Sequence, residues 1–115
     1  MSADNLSKGQ FEQLDMFKTA KELRGMPLTD VEVDMRSSYY VKDYKKTAKV
    51  VMARKLRESK RSGIYDSIKE KGVQKPVPLG KAWGPGVKVL DGHHRIASAM
   101  AIDPKMLLPV EHKND

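Results

Sequence analysis

The sequence predicts an α+β domain, and three observations predict it. Val87–Leu90 is β-branched and apolar with one lysine, and Asp91-Gly92 follows as a turn pair. From His93 the period changes: Ile96, Ala99 and Met100 fall at i, i+3, i+4, one face of a helix. This stretch reads as a buried central strand, a tight turn and a helix. Next, Tyr44, Ala48, Val51, Met52 and Leu56 step by four, three, one and four, which makes one apolar stripe on a helix over about 41–61. Last, Val73–Leu79 and Leu107–Val110 are short apolar runs among glycines and prolines. Both read as strands, the first an edge or irregular one because of Pro76 and Pro78.

The other elements follow in order. Met1–Leu6 is a polar end. Ser7 and Gln10 have capping-box spacing, with Phe11 and Leu14 on one helical face behind them. Thr19 and Glu22 repeat that spacing, so the helix is expected to break near Lys18 and restart with Leu23 and Met26. Phe11, Leu14, Met16, Phe17 and Leu23 are more apolar surface than a short arm needs. They pack on the domain's own core, or they dock a second copy or another protein.

Gly25-Met26-Pro27 ends that helix, and Val31 and Val33 alternate with acids as a weak strand over Pro27–Asp34. Arg36-Ser37-Ser38 reads as loop. Residues 1–35 are thus expected to be a helical arm with a weak strand, ahead of a domain over 36–115. Ser62-Gly63 breaks the long helix, Ile64, Ile68 and Lys71 continue a short one, and Gly72 suits its αL cap. Gly80–Gly86 is a hairpin-like connection holding Trp83, which is either a lid over the core or a platform for a base. Ile102-Asp103-Pro104 stops the last helix.

At 115 residues the chain is one domain, with 39% hydrophobic and 32% charged residues. It has no cysteine, which excludes disulfides, cysteine zinc sites and thiol chemistry. No apolar run reaches the length of a membrane span, and the first residues lack a signal-peptide core. A cytoplasmic protein without a membrane partner is expected. Net charge is +7. Val41–Arg61 holds nine basic residues against Asp43 and Glu58 and so carries all of it; the remaining 13 basic and 13 acidic residues cancel. Such a concentration suits a polyanion such as DNA, through Lys45, Lys46, Lys49, Arg54, Lys55, Arg57 and Arg61. The plainer alternative is a solvated helix face, although like charges at i, i+4 disfavour the helix slightly.

The Asp91–Arg95 turn has its own chemistry. A helix start offers unpartnered amides and a positive dipole end, glycine allows close approach, and arginine pairs with phosphate bidentately. Gly92 with Arg95 is therefore a candidate phosphate cradle, against a purely structural turn. Adjacent His93 and His94 point about 100° apart on a helix and chelate poorly together, and only His112 remains, so no metal site is expected. Asp91 is a candidate general base or magnesium ligand, or simply a turn-maker.

Asp91-Gly92-His93-His94-Arg95-Ile96-Ala97-Ser98-Ala99 resembles the "GERRxRA" box of ParB-type proteins in a DGHHR variant. Ile64–Val77 resembles the preceding box of that family, "L-x-x-S-I-x-x-x-G-V-x-x-P-I", and Lys105–Glu111 resembles its closing strand. The boxes, over 63–77 and 87–101, come in the family's order, and the likeness covers about Gly63–Glu111, under half the chain. The N-terminal half is more loosely similar to small bacteriophage ParB-like proteins, for which the compartment would be the host cytoplasm.

The resemblance implies a ParB/sulfiredoxin-like small mixed sheet with flanking helices and an added N-terminal helical arm. It implies a nucleotide pocket for CTP, or for ATP or ADP, with magnesium. Gly92 and the following amides would cradle phosphate, His94 and Arg95 would bind it, and Gly72, Gln74 and Pro76 would lie against the nucleotide. Where the family has an acid after the glycine this chain has His93, which puts CTP hydrolysis in doubt. Sulfiredoxin activity is rejected for want of cysteine. The family's nuclease label makes Asp91 and His93 the catalytic candidates for a nuclease or nucleotide hydrolase. The family's helix-turn-helix and dimerisation segment would follow beyond Asp115, so DNA contacts are expected to be non-specific and salt-dependent. Three classes result: a nucleotide- and DNA-binding protein, an enzyme at the DGHHR turn, or an interaction protein for a host partner or, as a homodimer, for a second copy.

Overall fold

The computed structural model describes residues 16–37 and 43–113. They form an α+β fold. The order is β1 (Phe17–Thr19), α1 (Ala20–Gly25), α2 (Thr29–Ser37), α3 (Tyr44–Ser62), α4 (Ile64–Lys71), β2 (Val77–Gly80), β3 (Lys88–Val89), α5 (His93–Ile102) and β4 (Leu107–His112). The sheet is mixed, in the order β1-β4-β2-β3, with β4 antiparallel to β1 and parallel to β2. Strand residues alternate between faces. Leu108, Val110, Val77, Leu79 and Val89 point inward and join Val51, Ile96 and Ala99 of the helices in one core.

Several elements match the pattern. Thr19 caps α1 in a capping box: its hydroxyl accepts from the Glu22 N–H at 3.1 Å, and Glu22 accepts from the Thr19 N–H at 3.0 Å. The stripe on α3 buries Ala48, Val51 and Met52, with Tyr44 and Leu56 half-buried against the core. Asp43 caps α3 by accepting from the Lys46 N–H at 3.1 Å. Helix α5 runs from the turn to Ile102 as its pattern required.

Other elements depart from it. Phe17 and Lys18 are strand, not helix. Ala20 and Leu23 are fully buried in the common core, which is the expected alternative in which these apolar residues pack on the domain's own core. The helix expected around Phe11 and Leu14 lies outside the described residues. The weak strand is instead helix α2, and Arg36-Ser37 is its last turn rather than loop. Val31 and Val33 alternate, but the stronger pattern is Leu28, Val31 and Met35 at i, i+3, i+7, which is the face that packs on the core. Val33 is left exposed. Gly72 caps α4 with its N–H on the Ile68 carbonyl, at φ 73° and ψ −174°, outside the αL basin.

The two hairpin strands exchange their expected places: β2 is interior and β3 lies at the edge. An interior strand should reject Pro78, because proline cannot donate to the ladder. Here the Leu90 N–H donates to the Pro78 carbonyl at 2.9 Å, and Pro78 has no N–H to return. The buried Thr29 hydroxyl supplies the missing donor, at 3.2 Å from the Leu90 carbonyl. Thr29→Val should therefore cost about 1–2 kcal/mol in chemical denaturation, and Thr29→Ser much less. Equal losses for the two would refute this role.

Trp83 covers an ion pair rather than the apolar core. Its Nε1 donates to Glu32 at 2.6 Å, and the Arg36 guanidinium lies 4.3 Å from the ring centroid. Beneath it, buried Lys88 bonds both Glu32 oxygens at 2.7 and 3.0 Å. Burial pushes the Glu32 carboxyl up, but the Lys88 and Trp83 hydrogen bonds outweigh it and hold its pKa low. Arg36 already stacks on this ring, where a base would otherwise have to pack.

Candidate functional site

A cleft of about 500 Å³ opens between α4 and the start of α5. Two glycines shape it. Gly63, at φ 88°, ends α3 and starts α4 in one residue. Gly92, at φ 85°, turns β3 into α5, and a Cβ there would sit 2.8 Å from an Arg95 guanidinium nitrogen. An L side chain would be strained at that φ and would also displace Arg95.

One wall of the cleft is Ile64, Ile68 and Val73, with Ser62, Ser67 and Lys71 beside them. The other is the Asp91-Gly92 turn with His94 and Arg95; Gly72, Gln74 and Lys75 close the rim. Of the residues expected to hold nucleotide, Gly72, Gln74, Gly92, His94 and Arg95 therefore share one cavity. Pro76 joins through its carbonyl, which accepts from Arg95 at 3.0 Å, beside a second bond from the same nitrogen to the Lys75 carbonyl. Arg95 thus ties the two sequence boxes together. Burial draws its pKa down, with Asp91 opposing.

The first intrahelical bond of α5 runs from Ile96 N–H to the Gly92 carbonyl. The amides of His93, His94 and Arg95 precede it and have no acceptor within the helix. Asp91 caps the turn by accepting from the Gly92 N–H at 2.7 Å. Glu58 of α3 lies 3.4 Å from His94 Nε2, and buried Ser59 donates to the His94 carbonyl at 3.2 Å. Lys71, Lys75 and Arg95 thus line the cleft with one acid, Asp91, while His94 also lines it and has Glu58 beside its ring.

The two catalytic candidates do not share the cleft. Asp91 lines the cleft, whereas His93 is 2% exposed and faces α2. The Asp30 N–H donates to His93 Nε2 at 3.4 Å, and Nδ1 lies 3.4 Å from the Asp30 carboxylate. Lys55 binds the same carboxylate at 2.7 Å. Burial pulls the His93 pKa below its ordinary value, with Asp30 opposing. Burial raises Asp30, but the Lys55 hydrogen bond and the charges of His93, Lys55 and His94 outweigh it, so Asp30 ends below the usual range. Among the described residues no group of three acids or histidines could hold a metal.

The basic helix sorts its charges. At 100° per residue, Lys46, Lys49, Arg57, Lys60 and Arg61 fall on the solvent arc of α3 with exposed Val50 and Ala53. Lys45 is exposed at the margin. No acid shares that arc, because Glu58 sits at its far edge beside His94. Arg54 is exposed but lies 3.7 Å from Asp34. Lys55 turns inward to Asp30 and keeps 14% of its side chain exposed, which removes it from the expected DNA face. Lys42 lies outside the described residues.

Asp30 and Glu58 were not visible as partners in the sequence. Asp30 lies where the sequence alternates like a strand, and Glu58 is one of two acids within the basic run. Compared with family models, curated proteins and solved structures, the chain matches none. No described helix is long and apolar enough to cross a membrane.

Proposed function

We propose that the chain is a ParB-like module that binds a nucleotide in the α4–α5 cleft and DNA backbone along α3. The observation that carries this is the gathering of both resembling boxes around one cavity, joined by Arg95. Phosphates would meet the α5 amides, His94, Arg95, Lys71 and Lys75. The base would lie on Ile64, Ile68 and Val73, with Gln74 at its edge. Asp91 would repel a bare phosphate, which favours a nucleotide carrying magnesium. The solvent arc of α3 supports the DNA half, because five cations occupy it without an acid.

The enzyme reading has less support, since His93 is turned away from Asp91's cleft. An interaction protein for a host partner is what remains if both binding tests fail. Calorimetric titration with CTP, ATP and ADP in magnesium is the first test. Saturable binding to at least one is expected, weakened by roughly tenfold or more in Arg95→Ala, as loss of a charged phosphate contact requires, and weakened in His94→Ala by loss of a hydrogen-bond contact. No saturable binding to any of the three would make the cleft architectural and end the nucleotide reading.

A further inference from the structure

Another, smaller cavity of about 260 Å³ lies where α1, α3 and α5 meet. Its floor is Met52 and Ala97, which belong to the core, with Leu56 and Met100 half-buried beside them. Its lips are Ala53 on α3 and Ala101 on α5, both exposed. Alanine at these two places leaves the floor open from outside. Methionine is unbranched and adapts to the shape of an incoming side chain, so Met52 and Met100 suit a floor that receives one.

The charge around this apolar floor has one sign. Arg24 of α1 lines the groove, and no acid does. At 100° per residue, Lys45, Lys49, Met52, Leu56 and Lys60 fall within about 80° on α3, so exposed lysines flank the floor along that helix. From Lys45 to Lys60 the row runs about 22 Å, or about four turns of a partner helix. Among the described residues, none of Arg24, Lys45, Lys49 and Lys60 has an acid within ion-pair distance. Glu58, the acid of α3, turns the other way, to His94.

We propose that this groove seats an acidic amphipathic helix of a protein partner. The partner's apolar stripe, at i, i+4 and i+7, enters between Ala53 and Ala101, and its flanking carboxylates meet Arg24, Lys45, Lys49 and Lys60. The cations select the sign of the partner. The floor selects protein over nucleic acid, because a phosphate backbone gains nothing from Met52, Leu56 and Met100. The assignment does not rest on the nucleotide or DNA readings.

Two labelled peptides of one composition, rich in glutamate and leucine, test it by fluorescence anisotropy. One carries its leucines at i, i+4 and i+7; the other has them scrambled around the helix. The native chain is expected to bind the first at least roughly tenfold tighter, the gain from burying one leucine side chain. Ala53→Arg with Ala101→Arg covers both lips and adds two cations, at exposed helix positions that arginine suits. This double variant is expected to bind the first peptide roughly tenfold more weakly and the scrambled one no more weakly than the native chain does. Attraction by charge alone predicts equal affinities for the two peptides in the native chain and a gain for both in the variant. Either of those results would overturn the proposal. So would self-association of the native chain that the double variant abolishes, which would assign the groove to a second copy.

Discussion

Reversing Lys46, Lys49, Arg57 and Arg61 to glutamate should abolish DNA binding at ordinary salt. The four lie on the solvent arc of α3, between residues that span about 22 Å of helix. A duplex presents one charge per about 1.7 Å of its axis, so several phosphates lie within reach of this face. Each neutralised phosphate contributes about 0.9 to the slope of log K against log salt, so four lost contacts lower that slope by about 3.6. At about 0.1 M salt this is a loss of more than three orders of magnitude, before the repulsion of the new carboxylates is added. The sequence of the duplex should matter little, since phosphates carry no base information. Fluorescence anisotropy over a salt series measures both quantities. Lys55→Gln is the control: Lys55 is spent on Asp30, so this change should leave the slope untouched while weakening the fold. An unchanged slope in the fourfold variant would remove DNA from the proposed function.

The contrast between Lys55 and Lys49 shows what the sequence made legible. Residue counting placed the net charge on one helix, and the 3.6 period separated its apolar stripe from the rest. It does not tell which lysine is recruited by an acid 25 positions upstream, because Asp30 lies in a segment where two periods compete. The valines at 31 and 33 suggested a strand, yet Leu28, Val31 and Met35 decided the matter by burying one helical face. Strand order was hidden for a similar reason. Pro78 argued for an edge, and the donor that lets it sit inside the sheet, Thr29, lies far from it in sequence. The cleft was more legible. Its walls are two local motifs, each with its own glycine turn, although Gly72 caps the first outside the αL basin. Their meeting through Arg95 and the Lys75 and Pro76 carbonyls depends on tertiary packing, which spacing alone does not encode. The same limit separates His93 from His94. Adjacent positions on a helix face about 100° apart, so one ring enters the core and its neighbour the cleft.

Replacing His93 should destabilise the fold and erase part of its pH dependence, whatever the cleft binds. The ring is buried between the N-terminal turns of α2 and α5, and its Nε2 accepts the Asp30 N–H, which has no acceptor within its own helix. His93→Ala leaves a cavity and an unmet amide, which together cost about 2–4 kcal/mol. The pH dependence follows from the lowered pKa of His93. An unfolded chain takes up a proton near the ordinary histidine value of about 6.5, and the folded protein resists it until lower pH. The unfolded state therefore binds more protons across that interval. Stability is fully present above about pH 6.5 and declines as pH falls toward the depressed folded value. Asp30 adds a decline in the same direction, but below the usual aspartate range, so the two windows separate. His93→Gln can keep an acceptor for the Asp30 amide while it removes the titrating ring. Urea unfolding from pH 8 to 5 should show a falling midpoint in the native chain and a flatter one in His93→Gln. A native midpoint that rises as pH falls, or an unchanged slope in the variant, would contradict the buried neutral ring. The result also bears on the enzyme reading. Any activity lost in His93→Ala but retained in His93→Gln would report the packing of α5 against α2, whereas loss in Asp91→Asn with stability intact would point to chemistry in the cleft.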